Sequence, residues 1–174
     1  MGRGTKTTEF LKECLADALI KLMKTKPFEK ISVDEIADTA GVGRATWFRN
    51  FSGKSEALTF KLVSEWNRWA LERDITNCNR YTLKNSADFF LFNYKMRNVI
   101  KVIYSAGMQS AVYDAFYQVM MPRYEASAAE CYQARFYSYG LYGLLDEWVK
   151  RGFKETPEEM VGIFYVVMDD RSNI

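Results

Sequence analysis

The chain has 174 residues, 48% of them hydrophobic and 26% charged, with no histidine and a net charge of +2. That balance suits a soluble globular chain of one ordinary domain, or a small module joined to a medium one. Cys14, Cys78 and Cys131 are odd in number and form no CxxC pair. This argues against a disulfide framework or metal site and for a reducing cytoplasm with no cofactor, and no apolar run approaches the ~20 residues of a membrane span.

The first predicted element is an amphipathic helix over Phe10–Met23, where Phe10, Leu11, Cys14, Leu15, Ala18, Leu19, Leu22 and Met23 recur at helical spacing. Lys26-Pro27-Phe28 ends it, because proline disfavours α geometry in the residue before it. Ser32 then opens a second helix as N-cap, with Glu35 completing a capping box. Val33, Ile36, Ala37 and Ala40 form its inner face. Gly41 supplies the positive φ of a tight turn, and Val42 fills the angle between the helices. A third, short helix follows over roughly Arg44–Asn50. Ser52 is placed to cap a long fourth helix carrying Leu58, Leu62, Trp66, Trp69 and Leu71. After the polar stretch Asp74–Arg80, helical spacing resumes over about 84–95, 97–105, 110–121, 124–151 and 157–169. Thr156-Pro157-Glu158-Glu159 opens the last of these with a Thr cap, a first-position proline and a box glutamate. The fold class is all-α with about nine helices, divided into residues 1–60, with a helix-turn-helix over about 32–51, and residues 61–174.

A helix of about seven residues is not stable alone, so the third must be held by its neighbours and its outer side free for another use. Trp47 and Phe51 read as inward-facing, and Arg44, Ala45, Thr46, Phe48, Arg49 and Asn50 as outward-facing. Ala45 permits close approach to a groove floor. Arg44 can fork onto a guanine edge or a phosphate, and Thr46, Arg49 and Asn50 can bond phosphates and set register. Lys54 adds a cation at the start of the fourth helix. Residues 1–54 hold ten Lys and Arg against seven Asp and Glu, and residues 55–174 hold fourteen against fifteen. A mildly basic head permits nucleic-acid binding without demanding it.

The run Ile36-Ala37, Ala40-Gly41-Val42, Arg44 through Phe51, Lys54 and Leu58 resembles the DNA-binding domain of the tetracycline-repressor (TetR) family, over about residues 8–62. The resemblance implies a double-stranded DNA operator as partner and candidate contacts at Ser32, Gly43, Arg44, Ala45, Thr46, Phe48, Arg49, Asn50 and Lys54. The chain departs from the family pattern in three places. Gly43 stands where a hydroxyl cap is frequent, Ala45 where glycine is frequent, and Phe48 where tyrosine is usual. The last removes a phenolic donor, a hydrogen bond of about 1 kcal/mol net.

Beyond residue 60 the resemblance is looser and implies a helical regulatory domain that binds a small molecule and dimerises through its last two helices. Phe136, Gly140, Gly143, Glu147 and Arg151 share one helical face, and Met160, Phe164, Val167 and Met168 give the last helix an apolar stripe. The expected homodimer contacts are therefore Phe136, Gly140, Gly143, Glu147, Met160, Phe164 and Val167. Aromatic and methionine side chains are plentiful enough to line an effector pocket as well as a core. The candidates are Phe89, Phe92, Asn93, Met96, Tyr104, Met108, Phe116, Tyr117, Met120 and Tyr137, with Tyr94 and Tyr132 nearby in sequence. With few formal charges among them, an apolar or aromatic effector is expected, the Tyr hydroxyls and Asn93 being the polar anchors.

An enzyme is the first rival reading. No histidine, Gly-rich phosphate loop, nucleophile elbow or metal-ligand cluster is present, and Asp146-Glu147 and Asp169-Asp170 are adjacent carboxylates that face different directions on a helix. The chain is therefore expected not to be an enzyme. The second rival is a relative that has lost operator binding and works as a coactivator through protein contacts. The expected function is that of a dimeric, ligand-responsive transcriptional repressor.

Overall fold

The computed structural model describes residues 3–75, 83–121 and 125–169; Cys78, Pro122 and most of the polar stretch ending at Arg80 lie outside them. Among the described residues there are nine α-helices, one 3-10 turn and no strand, as the all-α reading expected. The helices are α1 (Arg3–Met23), α2 (Val33–Ala40), α3 (Arg44–Asn50), α4 (Lys54–Glu72), α5 (Leu83–Lys95), α6 (Arg97–Ser105), α7 (Gln109–Met120), α8 (Ala128–Lys150) and α9 (Pro157–Asp169), with the 3-10 turn Phe28–Lys30 between α1 and α2. The chain forms two compact units, Met1–Glu65 with Lys101–Ala115, and Trp66–Ile100 with Phe116–Ile174.

In the first unit α1 packs on α2 and α3, and α2 on α3. Its core joins aliphatic side chains to two aromatic ones: Leu15, Ala16, Leu19, Ile36, Ala57 and Leu58 have no exposed surface, and Trp47 and Phe51 almost none. Helix α1 begins seven residues before the predicted start at Phe10, in a segment whose polar residues carry no apolar period. Phe10 itself is 63% exposed. It lies about 140° round the helix from Leu15, so the apolar run overestimated the buried face at its first residue. Helix α4 is fastened to α1 by polar contacts: Ser64 donates to Glu13 at 2.8 Å, and the Lys61 ammonium sits 2.5 Å from Asp17 while Glu65, one turn along α4, holds it at 2.9 Å. The buried Thr59 hydroxyl donates to the Ala111 carbonyl at 3.2 Å.

In the second unit α5 packs against α9 around an aromatic core. The Phe90 ring meets Phe89, Trp148 and Phe164 at centroid distances of 5.2, 6.0 and 6.2 Å. Helix α8 starts four residues later than the predicted 124, because Ser127 caps it and forms a capping box with Glu130. Helix α9 opens as its sequence indicates: the Thr156 hydroxyl accepts the Glu159 N–H at 3.2 Å, and Glu159 accepts the Thr156 N–H at 2.7 Å. Between them Phe153 adopts φ 60°, a left-handed conformation that costs a side chain about 1–2 kcal/mol. Burial of its ring 4.9 Å from that of Trp148 offsets the cost.

Replacing Phe90, which has no exposed surface, by alanine is expected to destabilise the second unit by about 3–5 kcal/mol. Denaturant unfolding followed by near-UV circular dichroism measures the loss.

Candidate nucleic-acid interface

The turn between α2 and α3 is fixed from both ends. Ser32 sits in extended geometry before α2; its hydroxyl accepts the Glu35 N–H at 3.2 Å, and its own N–H donates to the Glu35 carboxylate at 3.0 Å. The same carboxylate receives the Lys26 ammonium, reaching back across the 3-10 turn. With Lys26 as the largest cause and the Ser32 N–H and hydroxyl next, the Glu35 carboxyl is held down to about 2. At the other end Gly41 takes φ 69°, ψ 31°, and the Val42 N–H returns to the Ala37 carbonyl at 3.0 Å. This left-handed step turns the chain sharply with no side-chain penalty.

Helix α3 is anchored from beneath. Trp47 is 2% exposed and its ring lies 5.3 Å from Phe51, which meets Phe60 at 5.6 Å. The Lys12 ammonium covers the Phe60 ring at 4.3 Å. Gly43 forms the N-cap of α3 with no side-chain cap, its carbonyl accepting the Thr46 N–H at 2.8 Å. With Trp47 and Phe51 inward, Gly43, Arg44, Ala45, Phe48 and Arg49 are exposed, and Thr46 and Asn50 are half-buried at the flanks.

The polar side chains of this face are partly engaged among themselves. Arg49 Nε donates to the Ala45 carbonyl at 3.3 Å, and Asn50 Nδ2 to the Thr46 carbonyl at 2.6 Å. Arg44 Nε lies 3.2 Å from Asp34 Oδ1, and its guanidinium 5.4 Å from the Phe48 ring centroid. Lys54 has a different role from the one its sequence position suggested. Its ammonium donates to the Phe28 carbonyl at 2.5 Å and to the Ile31 carbonyl at 3.0 Å, above the Phe28 ring. Two of its three donors therefore tie α4 to the strap that leads into α2. Ser52 also differs from expectation: its N–H and hydroxyl both donate to Glu56 at 2.7 Å, so the glutamate caps the serine. Those two bonds hold the Glu56 carboxyl below its ordinary value.

In the second unit Phe136, Gly140, Gly143 and Glu147 all face solvent on α8, and Val167 on α9. Met160 and Phe164 do not. They are 4% and 5% exposed and belong to the core, so they are removed from the expected dimer contacts. Helix α9 is apolar on more than one side, and sequence spacing marks an apolar stripe without saying which side is inward. Its outer side carries Ile163, Val166 and Val167 instead. Tyr132 and Tyr139, four residues before and three after Phe136, extend the exposed α8 face; their helical spacing from Phe136 was the available signal.

Of the expected effector residues, Tyr104 and Met108 belong to the first unit and the other eight to the second. Phe92, Asn93, Met96 and Met120 are buried, and Phe89, Phe116, Tyr117 and Tyr137 half-buried. Phe89 packs 5.2 Å from Phe116, and Asn93 Nδ2 donates to the Phe89 carbonyl at 2.8 Å, which spends one anchor donor inside α5. Trp66 and Trp69, absent from the sequence-derived set, flank the Phe92 ring at 5.1 and 6.1 Å. Neither indole nitrogen, though buried, has a hydrogen-bond partner among the described residues. Among those residues no group of three or more Cys, Asp or Glu could hold a metal, and no helix is long and apolar enough to cross a membrane.

Residues 15–58 match the family described as "Bacterial regulatory proteins, tetR family", and residues 81–170 match "Transcriptional regulator C-terminal region", a TetR-type model. The first match spans the α2–α3 turn and its supports, the second most of the aromatic unit. No curated protein matches the sequence.

Two expectations follow from the supports of α3. Because the Glu35 carboxyl is held near 2 against an ordinary 4.5, its contribution to stability is complete above about pH 4.5 and disappears as pH falls toward 2. Lys26→Met removes the largest cause, and carboxyl NMR titration is expected to find the Glu35 midpoint raised toward its ordinary value. Lys54→Met, which leaves the Phe28 and Ile31 carbonyls without their donor, is expected to cost about 1–3 kcal/mol in a denaturant titration.

Proposed function

The chain belongs to the tetR family of bacterial regulatory proteins, a family of DNA-binding transcriptional regulators, and from that premise we propose that it is a ligand-responsive repressor acting as a homodimer on a two-fold-related operator. The observation that carries this reading is the division of α3: Trp47 and Phe51 buried, Arg44, Ala45, Phe48 and Arg49 in solvent. A helix of seven residues held only from below has its outer side free for a major groove. Arg44 is the base-reading candidate; Thr46, Arg49, Asn50 and Ser32 are phosphate contacts, and Ala45 leaves room for the groove floor. Lys54 acts as a positioning residue.

One such helix reads only a few base pairs, so selective binding requires two. The glycines of α8 support a second copy as the partner. A Cβ built on Gly140 or Gly143 meets nothing within 4 Å, so the chain's own packing does not explain them. Each mid-helix glycine costs about 0.5–1 kcal/mol relative to alanine. Close approach of a symmetry-related α8 explains both, with Phe136, Tyr132, Tyr139 and Val167 as the apolar surround and Glu147 at the rim.

The effector reading rests on the aromatic second unit. Phe89, Phe92, Met96, Phe116 and Met120 suit an apolar or aromatic body, and the two unpartnered indole N–H groups suit an acceptor oxygen on it, since buried donors left unpaired are costly. Such a compound relieves repression by binding the conformation with the wrong head spacing more tightly than the operator-bound one.

Binding to genomic DNA fragments, measured against salt, tests the reading. Operator-selective binding that weakens as salt rises supports it, and salt-insensitive retention on protein partners alone favours a coactivator that has lost operator binding. Arg44→Ala is expected to weaken specific binding by about 1–3 kcal/mol while leaving non-specific binding far less affected. Gly143→Leu is expected to raise the monomer's helical stability and yet shift sedimentation equilibrium toward monomer, because a bulky residue keeps the paired helices apart.

A further inference from the structure

We propose that Asp34 is a specificity-determining residue of the DNA reader: with Phe48 it fixes the Arg44 guanidinium for a guanine edge and penalises complexes in which Arg44 finds no base. The inference rests on the reading of α3 as the recognition helix and adds to it a residue from α2 that the family match does not single out.

The geometry is a clamp on two sides. Arg44 is the first residue of α3 and its side chain is 63% exposed, the setting in which a long side chain ordinarily samples many rotamers. Here the Asp34 carboxylate forms an ion pair with Arg44, its Oδ1 3.2 Å from Nε, and the Phe48 ring, one helical turn along, lies 5.4 Å from the guanidinium carbon. Among the described residues Arg44 has no other ion pair or ring contact. A guanidinium has five donors in a rigid fork. An ion pair on the Nε side leaves the four N–H groups of the terminal nitrogens, the parallel pair that matches guanine O6 and N7. Phe48 then has a purpose that a phenol is not needed for: it is a shelf for Arg44.

The carboxylate needs an explanation of its own. A negative charge beside a DNA-reading helix works against phosphate binding, and an ion pair this exposed does little for folding. Its effect differs between complexes. When Arg44 points into the groove and meets guanine, Asp34 keeps its cation and remains neutralised. When Arg44 swings to a phosphate, Asp34 is left uncompensated in the field of the duplex. Asp34 therefore lowers non-specific affinity more than specific affinity.

The test selects sequences from a randomised duplex pool with the full chain and with its Asp34→Ala and Asp34→Asn variants, and compares affinities for a selected and an unrelated duplex. The unsubstituted chain is expected to enrich guanine at one position of each half-site. In both variants that preference falls about tenfold, the scale of a bidentate base contact. Affinity for the unrelated duplex rises about threefold at low salt and converges with that of the unsubstituted chain at high salt. Both changes disappear when Arg44 is already alanine. The proposal is overturned if Asp34→Ala leaves preference and non-specific affinity unchanged. It is equally overturned if the same loss occurs in the Arg44→Ala background, which would make Asp34 itself the base contact or a support of the first turn of α2. Thermal melting of each variant separates a folding defect from a recognition defect, and Asp34→Asn keeps a capping-competent side chain at the helix start. Failure of the unsubstituted chain to enrich any sequence removes the DNA-reading premise, a result distinct from normal enrichment that Asp34→Ala does not alter.

Discussion

Burial of the Trp47 indole against Phe51 is the contact from which the rest of the first unit follows. Helix nucleation is unfavourable, and a helix of seven residues gains too few internal hydrogen bonds to recover that loss alone. Its stability is tertiary, supplied by one large ring on its underside. Fixing that ring fixes the rotation of α3 about its axis, and with it the direction in which Arg44, Ala45, Phe48 and Arg49 point. The surrounding polar contacts guard this arrangement at its margins. Glu35 closes the start of α2 on Ser32 and Lys26, and Lys54 fastens α4 to the strap before α2.

The parts of this arrangement legible in the sequence are those governed by neighbours three or four residues apart. The boxes Ser32–Glu35 and Thr156–Glu159, the left-handed Gly41 and the inward pair Trp47 and Phe51 are local in this sense, and the structure contains each of them. Contacts made over long stretches of chain left no such trace. Lys54 bonds the Phe28 carbonyl twenty-six residues away, and a backbone acceptor has no side-chain signature. Asp34 and Arg44 lie on different helices, so their pairing emerged only once the angle at Gly41 was known. The early start of α1 was missed for the opposite reason: its first residues are helical without being amphipathic.

Helix α9 shows where apolar periodicity stops being informative. Met160, Ile163, Phe164, Tyr165, Val166, Val167 and Met168 together cover most of its circumference, so a hydrophobic pattern alone assigns no inner side. Packing against α5 decides it, taking Met160 and Phe164 inward and leaving the valines out. Helix α8 separately exposes glycines that the chain's own packing leaves unexplained. An exposed apolar stripe and an exposed pair of small residues are each ordinary alone. Together, on two consecutive helices, they are the surfaces on which the proposed homodimer contact rests.

The same economy governs charge. The first 54 residues carry only three more Lys and Arg than Asp and Glu, and several of those cations are engaged by other groups of the protein. Lys26 is held by Glu35, Lys54 by two carbonyls, Lys12 lies over Phe60, and Arg44 is held by Asp34. Lys61, just beyond, shows how complete such commitment can be. Burial pulls its ammonium down, yet Asp17 and Glu65 outweigh that and hold it above its ordinary value. A reader with so small a surplus of cations cannot rely on a broad field that grips any duplex. Selectivity must come from placing a few groups accurately, which is the property that a buried indole, a left-handed glycine and an internally bonded lysine supply.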